Sequence, residues 1–121
     1  MINTDEKLFD LAFLEQMDDN GFIIQVIDLY LQDTAKDLDD MKIAFSAGEL
    51  DTVYKTAHKL KSSTGMLQAN TLFETLEKTE KLAKERGDAN QVSNYVESAI
   101  KQFQQLRVQL ELHLKVLQSA A

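Results

Sequence analysis

The chemistry in this chain of 121 residues gathers at His58 and the residues a helical turn to either side of it. An imidazole has a reference pKa of about 6.5, so at pH 7 one ring nitrogen carries a free lone pair. Such a nitrogen can attack phosphorus without a separate base to activate it, which is unusual among nucleophilic side chains. On a helix, Lys61 falls at i+3 from His58, Ser62 at i+4, Lys55 at i−3, and Gly65 one turn further on. Lys61 is placed to contact the oxygens of a phosphoryl group, and Lys55 adds supporting positive charge. Ser62 and Gly65 are small, so another protein can approach the ring closely.

The surrounding pattern decides which way this face points. Leu50, Val53, Ala57, Leu60, Thr64 and Leu67 recur at alternating three- and four-residue steps and form an apolar stripe. At about 100° per residue, His58 lies roughly 130° from the middle of that stripe. The imidazole is therefore expected to face water. Tyr54, beside it, reads as the edge of the core. His113 falls in the apolar seam of the last periodic segment and reads as a core-edge histidine near a helix C-terminus.

Five helices are expected to carry these faces. The first spans about residues 4–17, with Asn3 as its cap, Glu6 three residues on, and Leu8, Leu11, Ala12, Leu14 and Met17 as apolar positions. After the Asp18-Asp19-Asn20-Gly21 turn, the second spans about 22–47 and ends before Gly48. The third spans about 50–67. Asn70 or Thr71 opens the fourth, about 71–86, where Thr71 with Glu74 would make a capping box and Gly87 ends it, and Asp88 opens the fifth, about 89–118. The Lys78–Lys84 run, with its glutamates, reads as a solvated helix face. Four long helices with loops of a few residues imply an all-α, up-down-up-down four-helix bundle, with the short first helix as an N-terminal lid. One domain, 1–121, is the expectation for this length.

Composition narrows the function. The sequence has no proline and four glycines, so long helices meet few breakers, and no alternating strand pattern appears. It has no cysteine, which excludes disulfide and thiolate chemistry. A net charge of −7 argues against nucleic acid as a partner. No apolar run is long enough to span a membrane, and no basic-then-apolar leader opens the sequence, so a cytoplasmic protein is expected. Neither His58 nor His113 has a glutamate three residues before it, as a di-iron bundle requires, and zinc-site spacings are missing. No metal site is expected. Nor is there a glycine-rich phosphate loop for ATP.

The stretch Ala57-His58-Lys59-Leu60-Lys61-Ser62-Ser63-Thr64-Gly65 resembles the signature of histidine-containing phosphotransfer (HPt) domains, A-H-x-L-K-G followed by small residues. The similarity extends to the Ala47–Asp51 turn, the helix after Asn70 and the Gly21–Asp28 start of the second helix. It implies that His58 is the phospho-accepting histidine and Lys61 the phosphate-contacting lysine. Ser62 and Gln68 stand where glycines are usual, which implies tuned rates or partner choice. The implied function is a phosphorelay carrier in two-component signalling, not an enzyme with its own ATP site. Its expected partners are response-regulator receiver domains and a hybrid histidine kinase, with Mg²⁺ held by the receiver and no cofactor here. A monomer suits such a carrier. Leu11, Leu14, Met17 and Phe22 are the candidates for an apolar docking patch beside His58, with ordinary lid packing as the competing reading. The alternative function is a helical interaction module that binds a receiver or kinase without phosphate passage.

Overall fold

A computed structural model describes residues 6–120. All regular structure among them is helical: α1 (Ala12–Glu15), α2 (Asn20–Ser46), α3 (Leu50–Met66), α4 (Asn70–Lys84) and α5 (Ala89–Ser119). Each long helix turns one apolar row inward. Ile23, Ile27, Tyr30, Leu38 and Met41 of α2 meet Val53, Ala57 and Leu60 of α3, Leu72 and Leu76 of α4, and Val92, Val96, Phe103, Leu106 and Leu110 of α5 in one helical bundle core. These are the three- and four-residue rows visible in the sequence.

Helix α3 packs on α2 and α4, and α5 packs on α4 and α2. Residues pair in opposing order along these contacts. Tyr30 meets Thr64 and Asp37 meets Lys59 between α2 and α3, while Gly65 lies by Phe73, Lys61 by Glu80, and Asp51 by Arg86 between α3 and α4. Between α2 and α5, Tyr30 meets Phe103 and Lys42 meets Glu97.

The helix ends follow local chemistry. Asp19 caps α2 by accepting from the Phe22 N–H, so α2 starts two residues earlier than the periodicity predicts. Asp88 caps α5 by accepting from Asn90 and Gln91 N–H. Of the two expected starts α4 takes Asn70, with Ala69 as its cap, so the Thr71/Glu74 box does not form. Gly48 takes φ +76° after α2, as a terminating glycine should. At the end of α4 the left-handed residue is Arg86, φ +54°, and not Gly87. A Cβ on Gly87 would press on the Leu82 side chain, which would have to shift to admit it.

The first helix is the main correction. Of the expected 4–17 helix, Ala12–Glu15 is the part that forms among the described residues, and residues 4 and 5 and the expected cap Asn3 lie outside them. At 1.5 Å per residue, α5 with 31 residues is about 46 Å long and α4 with 15 about 22 Å, so α2 and α5 run on past the α3–α4 turn. The segment before α1 covers the core left open there. Its backbone finds partners on neighbouring elements: Leu8 N–H donates to Gln109 Oε1 (2.8 Å), Gln109 Nε2 donates to Glu6 C=O (2.6 Å), and Asp10 N–H donates to Leu67 C=O (2.9 Å). Backbone groups satisfied this way are not available for helical bonds. Phe9, Leu11 and Leu14 are buried, and Phe9 sets its ring edge-on to His113 at 5.6 Å.

Candidate functional site

Helix α3 sends Val53, Ala57, Leu60 and Thr64 into the core, which leaves His58 on the opposite side with its side chain 68% exposed. A buried bond lies beneath this part of α3. Thr64 and Tyr30, both in the core, share a hydrogen bond of 2.9 Å that ties α3 to α2. Burial pushes the Tyr30 hydroxyl up to about 12, against the opposing effect of its bonds with Thr64 and Thr34.

The imidazole does not stand alone. Its Nδ1 lies 2.6 Å from Glu80 Oε2, and Lys61 Nζ lies 2.8 Å from Glu80 Oε1. One carboxylate of α4 thus bridges the two α3 side chains. Glu80 is only 18% exposed at its side chain and Lys61 23%. Partial burial works to raise the Glu80 carboxyl, but the hydrogen bonds from Lys61 and His58 outweigh it and hold the group below its ordinary value. The bond to Glu80 raises the Lys61 ammonium in turn. An ionised carboxylate only accepts hydrogen bonds, so Nδ1 must carry the imidazole proton. In the neutral form of the ring, that tautomer leaves the Nε2 lone pair free on an exposed imidazole.

Glu80 was hidden in the sequence inside the Lys78–Lys84 run, which reads as a solvated face. Its position gave one signal: it follows inward-facing Thr79 and lies at i+4 from buried Leu76, so it sits at the seam with α3.

The other expected residues divide. Lys61 joins the cluster, and its Nζ also lies 5.9 Å from the centre of the Phe73 ring. Ser62 and Gly65 are exposed on the same side of α3. Lys55 is exposed one turn upstream but takes no part in the Glu80 pairing. Tyr54 is half-buried against the core, with Lys84 Nζ 5.9 Å from its ring centre.

The apolar patch needs revision. Leu11 and Leu14 are buried, because they fill the end of the core that α3 and α4 do not reach, so they offer no surface. Met17 and Phe22 are exposed, as is Phe13. A groove of about 390 Å³ between α2 and α3 is lined by Val26, Leu29, Leu60, Ser62 and Met66, among others. Phe22, Val26 and Leu29 share one row of α2 at i, i+4 and i+7. Met66 extends the His58–Ser62 row of α3 by one more turn. Leu29 and Met66 were missed in the sequence because each looks like an ordinary apolar residue of an amphipathic helix.

Among the described residues no group of three or more His, Cys, Asp or Glu side chains is arranged to hold a metal ion, and no helix is long and apolar enough to cross a membrane. The model of the Hpt domain family matches residues 25–120, a span that holds α3 entire, with its exposed histidine, and α4 with Glu80. No curated protein and no solved structure matches the chain.

Proposed function

This chain belongs to the Hpt domain family, phosphotransfer modules of two-component signalling, and we propose that His58 is the residue that carries the phosphoryl group. The observation that supports this most is the Glu80 bridge, which fixes the imidazole tautomer with Nε2 open to an incoming phosphorus. In this reading His58 takes the group from a receiver domain's aspartyl phosphate and passes it to the aspartate of another receiver. Phosphoryl transfer runs through a loose transition state, so positioning and charge neutralisation supply most of the catalysis. Lys61 provides the nearest positive charge. It has three donors, so it can bond a phosphoryl oxygen while still paired to Glu80. Lys55 adds to the field from one turn away.

Hpt domains act as carriers and not as ATP-using enzymes. In this reading the chain uses no ATP site of its own, and Mg²⁺ stays with the receiver. The docking face is the α2–α3 groove with Val26, Leu29, Ser62 and Met66, and Phe22 continues the same row of α2. Ser62 in the usual glycine position puts a hydroxymethyl group where the partner approaches, which tunes rate or partner choice. The opposing order of pairs along each helix contact supports an up-down-up-down arrangement of α2–α5, with the segment through α1 as a lid.

The test is to mix the chain with a receiver carrying radiolabelled aspartyl phosphate. Label is expected on the native chain and none on His58→Gln. Label retained by the variant, or none on the native protein with any receiver, would sink the assignment and favour a module that only binds.

A further inference from the structure

Resting on the reading of His58 as phosphoryl carrier, we propose that Glu80 keeps the Nδ1 proton on the phosphorylated imidazole, so that the ring leaves as a neutral group in the outgoing transfer. In the incoming step the Nε2 lone pair forms a bond to phosphorus. The bond from phosphorus to the aspartyl oxygen breaks, and its electron pair stays on the departing carboxylate. The ring now carries phosphorus on Nε2 and a proton on Nδ1, and is cationic.

In the outgoing step a carboxylate oxygen of the second receiver attacks phosphorus, the Nε2–P bond breaks, and its pair returns to Nε2. If Nδ1 has kept its proton, the departing ring is neutral imidazole. If that proton has been lost to solvent, the ring must depart as an imidazolate anion, a far poorer leaving group. Proton retention at Nδ1 therefore decides how readily the carrier unloads.

The groups around the ring sort clearly. From α3, Lys61 and Lys55 are cationic and favour proton loss. From α4, Glu77 acts on Lys61, Lys84 lies over Tyr54, and only Glu80 touches Nδ1, at 2.6 Å. From α2, Asp37 is paired at 2.9 Å with Lys59, which also feels Asp33 and Asp40 and sits on the far flank of the ring. Among the described residues Glu80 is thus the one anion in contact with the proton, and Lys61 grips its second oxygen so that it stays aimed. A partly buried carboxylate acts with more force than a solvated one. Here Glu80 is a positioning residue for the proton and does not touch phosphorus.

The measurement uses the intact chain phosphorylated chemically with phosphoramidate, with loss of the phosphoryl group followed by ³¹P NMR across the neutral and mildly alkaline range. In Glu80→Gln the alkaline fall in the rate of loss is expected to begin about one pH unit or more below that of the native protein, the size usual for removing an adjacent opposite charge. Glu80→Ala should shift it at least as far. Ring ¹⁵N spectra of the native phosphoprotein should show Nδ1 still protonated in the range where the variants have lost that proton.

Identical pH profiles in all three proteins, or an unprotonated Nδ1 in the native phosphoprotein at neutral pH, would overturn the proposal. The ¹⁵N result decides it even if a variant fails to fold. If the profile shifts but no receiver exchanges label with His58, the proton role stands and the relay reading falls. If receivers exchange label and the profile does not shift, the reverse holds.

Discussion

Lys61 Nζ lies 2.8 Å from Glu80 Oε1, so the cation expected to meet a phosphoryl group is already paired while the histidine is empty. The pair holds Lys61 on the His58 side of α3 and keeps two semi-buried charges from standing alone. A phosphoryl group arriving at His58 would therefore find the lysine in place, at the cost of sharing it.

Replacing Lys61 by methionine removes that shared donor. A hydrogen bond to a charged group is worth about 1.5–3 kcal/mol, so transfer from a phosphorylated receiver to His58 should slow by about tenfold to a hundredfold. Rapid-quench labelling gives the number. A rate within about twofold of native would mean that Lys61 serves only to hold Glu80.

Docking through the α2–α3 groove is checked separately from chemistry. Leu29→Ser and Met66→Ser cut into the apolar wall beside Ser62 and leave His58, Lys61 and Glu80 untouched. Both should raise the receiver concentration needed for half-maximal transfer, by roughly tenfold for loss of about 1.4 kcal/mol of contact. Phosphorylation by phosphoramidate should not change. If both variants match the native protein with every receiver, the docking face lies elsewhere.

Tyr30 makes the stability of the chain depend on pH at the alkaline end. Its hydroxyl ionises at about 12 in the folded protein against 10.0 unfolded, because burial disfavours the phenolate. The folded state thus holds the proton more tightly, and the associated stability is complete below 10.0 and lost as the pH rises through about 12. Tyr30→Phe should lack this component and should also lose the bond to Thr64, at about 1 kcal/mol or more, since the Thr64 hydroxyl stays buried. Denaturant unfolding of both proteins at neutral and alkaline pH reads the two effects apart.

Gln68 occupies a left-handed backbone position, φ +49°, just after α3. A side chain there costs about 1–2 kcal/mol in backbone strain, part of which glycine returns through its larger unfolded-state entropy. Gln68→Gly should therefore stabilise the protein by roughly 0.5–1 kcal/mol, visible as a thermal midpoint a few degrees higher. A lower midpoint would show that the Gln68 side chain makes a compensating contact.

The helical class, the four long amphipathic segments to within a few residues at each end, and the exposure of His58 were all legible in the order of the residues. Those features depend on which residues share a face, and a fixed rotation of about 100° per residue settles that within one helix. The His58, Lys61, Ser62 and Gly65 row was legible for the same reason. What lies between helices was not. Glu80 meets His58 across 22 positions of chain, and nothing in the periodicity of α4 says which α3 residue it will face. Leu11 and Leu14 looked available for a partner, yet the mismatch in length between α5 and α4 leaves a gap in the core that they fill. The same mismatch draws the first segment out of its expected helix, because Gln109 and Leu67 supply its backbone partners. A helix repeat fixes direction about its own axis, whereas register and relative length are decided only when the helices pack.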